Sequence, residues 1–348
     1  MRTQLCSLGI IAALLLGAPL PGSAAGAGLE DLLADVSPGM VPTTMGGAFV
    51  AVADDASTVH WNPAGLARGG GAAAFHMTLA GENLDDAEDA ADQLDLIDPD
   101  DFDFDDALEL IRKNKGTYGV TVTPQFILAS HRWALSVTGF GIGRASLEET
   151  VPDQEVRVQG KAAVFASGAI SHGWEANDDL RLGASARYIY GKGYMTEYTG
   201  NRTGVTETIT DVEPTDRTVT FDVGALYRAN ENVTYGAAVR NITSPTFFEG
   251  TPAKTTLAAT LDIGAAYRKD GLTLAADLHN LLGFSPRPDP SLHLGARYEF
   301  PKILSIQVGL YDGDPTIGAG LDLGPLYVAA GLGENVERMV TAGLQAQW

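Results

Sequence analysis

Met45-Gly46-Gly47-Ala48-Phe49-Val50-Ala51-Val52-Ala53-Asp54-Asp55-Ala56-Ser57-Thr58-Val59-His60-Trp61-Asn62-Pro63-Ala64-Gly65-Leu66 is built almost wholly from small and apolar residues. Gly46, Gly47 and Gly65 allow a positive φ or a close backbone approach. Pro63 keeps Asn62 out of the helical region, and the Asn62 side chain can close a local turn. Asp54 and Asp55 are the stretch's two acids, and buried carboxylates must meet polar partners. By chemistry alone this is a glycine-rich loop, so the flanking sequence has to decide what it serves.

Upstream, residues 1–27 read as an export signal. Arg2 gives the positive start, and Leu8 to Leu16 is an uncharged apolar run too short to span a bilayer. Small residues follow, with cleavage expected after Ala25 or Ala27. The single cysteine, Cys6, lies inside that signal, so the mature chain has no disulfide and no thiolate metal site. Beyond it no apolar run reaches about 18 residues, which excludes a helical membrane protein. The net charge of −21 argues against nucleic acid as a partner. Much of that charge is local: residues 82–109 hold fourteen acids and no Lys or Arg.

Downstream, apolar and polar residues alternate. Leu292, Leu294, Ala296 and Tyr298 are interleaved with His293, Gly295, Arg297 and Glu299, a period of two with one wet face. Strands are expected at 70–82, 116–130, 132–143, 158–173, 180–192, 217–228, 233–241, 254–268, 271–279, 291–299, 303–311, 315–322, 326–333 and 338–348. Short and long connections take turns over most of this span, as in outer-membrane barrels, where tight periplasmic turns oppose longer outer loops. The fold class is therefore all-β: a transmembrane antiparallel barrel of about fourteen strands over residues 69–348.

Three strands end in related words: Gly224-Ala225-Leu226-Tyr227-Arg228, Gly264-Ala265-Ala266-Tyr267-Arg268 and Gly295-Ala296-Arg297-Tyr298-Glu299. Tyr227, Tyr267 and Tyr298, with Trp174 and Trp348, fall at one predicted level and read as an interfacial aromatic girdle. The last strand is amphipathic and ends on Trp348. Residues 83–115 interrupt the strands and read as two short helices, the second containing Phe104, Leu108 and Ile111 and capped by Asp105 or Asp106. Counting back from a periplasmic C-terminus places this insert outside the cell. Asp101, Asp103 and Asp105 resemble the start of a calcium loop, but Asp106 and Arg112 stand where its glycine and glutamate belong.

Residues 45–66 resemble the N-terminal segment of the FadL-type outer-membrane family, in its GGA run, its Ala-Asp-Asp-Ala-Ser core and its Asn-Pro-Ala-Gly-Leu. The chain is also similar to the PorV-type branch and to TraF-like outer-membrane proteins. The resemblance implies that residues 28–68 fold into the barrel lumen as a plug, with Gly46, Gly47, Asp54, Asp55, Asn62, Pro63, Ala64 and Gly65 as its motif. It implies passive uptake of hydrophobic small molecules such as long-chain fatty acids. The other branches imply instead a non-transporting component that binds secreted or surface proteins. The partners that follow are outer-membrane lipid, a hydrophobic small-molecule substrate and the barrel assembly machinery, which would read Trp348 as an insertion signal. In the family a kinked strand opens the wall sideways. Pro124 cannot donate to a ladder and marks a bulge or such an opening here, although it lies in the second strand and the family's kink in the third.

Other motifs carry less. Gly139-Phe140-Gly141-Ile142-Gly143 has no βαβ frame and is not a nucleotide loop. The six histidines are scattered, without zinc-ligand spacing. No nucleophile elbow or His-Glu-x-x-His is present, and nothing calls for a cofactor or for catalysis.

Overall fold

The computed structural model describes residues 39–82, 103–113, 116–212, 215–251, 254–282, 290–301, 303–333 and 338–348. The expected signal and the first helix of the insert lie outside them. Within them the chain forms β1 Gly71–Glu82, β2 Gly116–Ser130, β3 Trp133–Val151, β4 Glu155–Glu175, β5 Leu180–Asn201, β6 Gly204–Val212, β7 Thr215–Arg228 and β8 Val233–Arg240. There follow β9 Thr246–Phe247, β10 Thr255–Thr256, β11 Thr260–Lys269, β12 Leu272–His279 and β13 Ser291–Glu299. The last four are β14 Leu304–Tyr311, β15 Asp314–Asp322, β16 Leu326–Gly333 and β17 Arg338–Gln347.

Every ladder in the large sheet is antiparallel, and each barrel strand pairs with its neighbours in the chain. β1 also pairs with β17, with Ala72 opposite Gln347, which closes the ring. β6 and β7 both pair with β5, β6 along its far end and β7 along Leu180–Lys192, so together they make one wall position. β9 and β10 pair only with each other. The barrel thus has the fourteen strands read from the sequence.

Why the sheet closes is visible in its outer face. Phe75, Met77, Leu79, Phe126, Leu128, Leu135, Val137, Phe221, Leu274, Leu292, Ile317 and Leu344 all point outward and are exposed. Soluble proteins do not carry a continuous apolar belt of this extent. A bilayer requires one, and it also requires that no strand edge be left unpaired.

Three expectations need correction. In the expected long connections, residues 144–151, 155–157 and 193–201 are extensions of β3, β4 and β5, and 204–212 continue the wall as β6. At about 3.3 Å per residue these strands reach well beyond the roughly 25 Å apolar band. Outside hydrocarbon neither strand face must be apolar, so the alternation fades from the sequence. The strand expected at 254–268 begins only at Thr260; the residues before it form the β9–β10 hairpin, which turns Phe247 and Phe248 into the lumen. The helix Phe104–Lys113 is present, but Asp103 caps it, accepting from the backbone N–H groups of Asp105 (2.8 Å) and Asp106 (3.2 Å). Phe104, Leu108 and Ile111 pack on Tyr118, Leu147, Val156 and Val158, bracing the tall wall where it leaves the membrane.

Candidate functional site

From Gly39 to Ala67 the chain lies inside the barrel with nearly every residue buried. A short helix Met40–Thr44 leads to Gly46 and Gly47, both at positive φ (64° and 79°). A Cβ on Gly46 would sit 2.6 Å from the Leu310 backbone, and one on Gly47 2.8 Å from the His293 ring, so this corner needs glycine twice over. A second turn of helix, Thr58–Trp61, is followed by Asn62, which caps the 3-10 turn Pro63–Arg68 with a bond from Ala64 N–H to its Oδ1 (3.2 Å). Pro63 at the first position of that turn has no N–H to lose. Gly65 packs against Thr58 and Ala53.

The wall meets this segment with a belt of glycines. Gly183, Gly224, Gly236, Gly295, Gly309, Gly318 and Gly331 face inward, and a Cβ on any of them would overlap the plug's backbone or its Pro63, Asn62 or Thr44. Gly183 pairs with Gly224, Gly295 with Gly309, and Gly318 with Gly331. Two of the repeated words noted in the sequence contribute their glycine here. Glycine inside a strand signals close approach of another backbone, and that was the available clue.

Polar bonds then fix the register. Asn62 Nδ2 donates to Val50 O inside the plug (2.8 Å) and to Ala225 O in the wall (3.0 Å). Val50 N donates to Asp277 Oδ2 at 2.7 Å, and His293 Nδ1 lies 2.7 Å from Gly46 O. Thr316 Oγ1 donates to Thr44 O at 3.0 Å, and Ala56 N to Gln345 Oε1 at 3.2 Å. Asp54 pairs with Arg297 and, at 3.1 Å, with Arg268. Asp277, His293, Arg268 and Arg297 escaped the sequence reading as plug partners, because nothing local marks a wall residue for a contact more than 200 positions away.

The two adjacent acids behave differently. Burial raises the Asp54 pKa, but Arg297, Arg268 and Arg68 outweigh it and hold the carboxyl below its ordinary value. For Asp55 the balance goes the other way: burial and the Asp54 charge push it up to about 6, against bonds from Ser57 and a weaker pull from Arg297. Both border a polar cleft of about 420 Å³ at the short-turn end, with Glu299, Ser305, Tyr327 and Gln347 on its rim. His60, facing Thr138, is pushed down to about 3 by burial, with Arg187, His76 and Arg240 adding, and is neutral.

Beyond the plug the lumen is layered. A polar tier holds Arg187 bonded twice to Asp222 (2.8 Å each) and Arg240 paired with Asp262 at 2.7 Å. The scattered His279 and His293 stack at 4.0 Å, because β12 and β13 are neighbours. Above this, Phe140, Ile142, Phe165, Ile189, Phe247 and Phe248 form an apolar tier. On the outer face Trp174, Tyr227, Tyr267 and Tyr298 are exposed near the short-turn ends of their strands, and Trp348 extends β17 beside Gly71. Pro124 lies in β2, where the β2–β3 ladder lacks the two pairs between Val122↔Gly141 and Gln125↔Thr138 while its register is unchanged.

No family model matches the sequence, and no curated protein does. Solved structures do match the fold. The Ralstonia pickettii toluene transporter TbuX aligns with a TM-score of 0.58 at 13% identity, covering 89% of this chain and 97% of that one. The Pseudomonas putida toluene transporter TodX gives 0.56 at 11% identity over 88% and 96%. A Pseudomonas aeruginosa FadL homologue gives 0.55 at 12% identity over 89% and 97%. The chain therefore has the fold of the FadL-type barrels, the group its residues 45–66 resemble.

Proposed function

We propose that this protein is an outer-membrane channel for the passive uptake of hydrophobic small molecules. The observation that carries the reading is the plug: a closed, lipid-facing barrel whose lumen is filled by its own N-terminal segment. Such a device admits substrate without standing open to water. The solved structures of the same fold include two toluene transporters. The apolar tier around Phe165 and Phe248 offers a first resting place for an apolar molecule. The break in the ladder at Pro124 offers a lateral way out to lipid. Long-chain fatty acids and small aromatic hydrocarbons are both within this substrate class.

The test is uptake of labelled oleate, and of a panel of alkanes and aromatics, by cells whose own fatty-acid porin is deleted. We expect uptake of at least one class. No uptake by correctly inserted protein would favour the second reading, a non-transporting component that binds secreted or surface proteins. One observation favours that reading: the ion-paired tier interrupts the lumen, and the tall β3–β6 wall presents a broad surface beyond the membrane.

Insertion itself is proposed to depend on the barrel assembly machinery recognising the amphipathic β17 and its exposed terminal Trp348. Deleting Trp348 should lower the amount of heat-modifiable barrel and leave periplasmic fragments. Wild-type amounts in the deletion strain would remove Trp348 from that role.

A further inference from the structure

A set of lumen groups stands apart from the ion pairs. It surrounds the break at Pro124, where the β2–β3 ladder lacks the pairs between Val122↔Gly141 and Gln125↔Thr138. His76 of β1 lies directly opposite Gln125 of β2. His76 is 1% exposed, Gln125 2% and Thr121 4%. Both ring nitrogens of His76 and both amide atoms of Gln125 have no hydrogen-bond partner, and neither has the Thr121 hydroxyl on the far side of the break, about 13 Å along β2. His76 and Gln125 are close enough to interact, but one bond between them would still leave a ring nitrogen and an amide atom bare. Buried polar groups are nearly always satisfied, and several orphans at one spot need an explanation.

Their surroundings suggest one. Phe140 is two residues beyond Thr138 on the inner face of β3, and with Phe165 and Phe248 it begins the apolar tier. On the other side the plug's neutral His60 approaches Thr138 at 3.4 Å. Arg187, the cation that acts most strongly on this plug histidine, is already doubly bonded to Asp222. The spot therefore has donors and acceptors to offer and an apolar wall beside them, and the next lumen cations, Arg144 and Lys161, stand opposite each other beyond that wall.

We propose that His76 and Gln125 bind the uncharged hydrogen-bonding head group, a hydroxyl or carbonyl, of an otherwise apolar substrate whose body lies against Phe140, Phe165 and Phe248. This rests on the carrier reading and narrows it. Beside His76, where among the described residues no cation acts on the ring, a carboxylate would lose its hydration, whereas a neutral head group completes the orphaned bonds. The ladder break puts the site next to the wall position that the carrier reading offers as the way out to lipid.

The test is binding of 1-naphthol, naphthalene and 1-naphthoate to the purified full chain in micelles at pH 7, with protein-free micelles subtracted. We expect 1-naphthol to bind roughly tenfold tighter than naphthalene, the worth of one net hydrogen bond to an otherwise unpaired buried group. 1-Naphthoate should bind more weakly than 1-naphthol. The naphthol-to-naphthalene ratio should fall in Gln125→Leu and in His76→Leu, and approach one in the double variant. Gln125→His, which keeps a donor and an acceptor, should hold it. Equal binding of naphthol and naphthalene, a preference for naphthoate, or a ratio that survives the double replacement overturns the head-group site. The wild-type ratio decides the matter even if a variant does not fold. Naphthalene bound as well as naphthol leaves the carrier reading standing, whereas no binding of any of the three overturns both.

Discussion

Removal of residues 28–68 should convert a closed protein into an open polar pore of large conductance in planar bilayers. Fourteen strands enclose more space than wall side chains fill, so the segment inside is what obstructs the lumen. The walls it would uncover carry Asp277, Arg297, His293 and Gln345, which support water and ions once their plug partners are gone. The barrel itself should survive, because its ladders close without help from the plug. A deletion protein that folds, shows heat-modifiable migration and still conducts no better than wild type would shift the seal to the Phe247–Phe248 hairpin.

Arg297→Ala and Asp55→Asn should move the plug in opposite directions. Arg297→Ala strips Asp54 of its closest cation while leaving it buried. Breaking a buried pair typically costs about 3–5 kcal/mol, and Arg268 remains nearby, so about 3 kcal/mol is expected. That corresponds to roughly a hundredfold rise in the open fraction, seen as bursts of conductance. Asp55 works the other way. Its pKa is higher with the plug seated than free, so its contribution to closure is complete below the free value near 3.8 and is lost as pH rises through about 6. Asp54, held low, contributes closure above its free value and loses it only in stronger acid. Between pH 4 and 7 the Asp55 effect governs, and wild-type openings should become more frequent as pH rises. Asp55→Asn keeps an acceptor for Ser57 N–H and removes the charge, so it should be tighter at pH 7 and flat over that range. Openings that become rarer with rising pH would sink this assignment.

The strands inside the membrane could be read from sequence because lipid on one face and lumen on the other enforce a period of two. The same strands became illegible at residues 144–151 and 193–201, where both faces meet water and the constraint ends. The motif at 45–66 was visible as a unit, and its Asn62-Pro63 turn could be argued from local chemistry. Its partners could not. Val50 meets Asp277 and Gly46 meets His293 across more than two hundred residues, through strands whose own patterns speak only of inside and outside. The repeated Gly-Ala-x-Tyr words show the limit well: the tyrosines drew attention as girdle residues, while Gly224 and Gly295 shape the seat of the plug. His76 and Gln125 were equally silent, since a polar residue on a lumen face is ordinary until its neighbours are known.

The glycine belt also sets how the plug would leave its place. A surface of side chains interlocks, and sliding past it forces each chain over a rotamer barrier. At this belt the teeth are few: Thr44 fits the gaps at Gly318 and Gly331 and Asn62 the gap at Gly224, and elsewhere backbone lies on backbone. What resists motion is then the apolar contact of the Phe49 and Trp61 cluster with Ala266 and Ala275 and a set of latches: Asn62 on Ala225, Asp54 on two arginines, Val50 on Asp277, Gly46 on His293, Thr44 on Thr316 and Ala56 on Gln345. Release has to undo these bonds and part the apolar contacts together, so a single change in charge at one latch is felt along the whole segment.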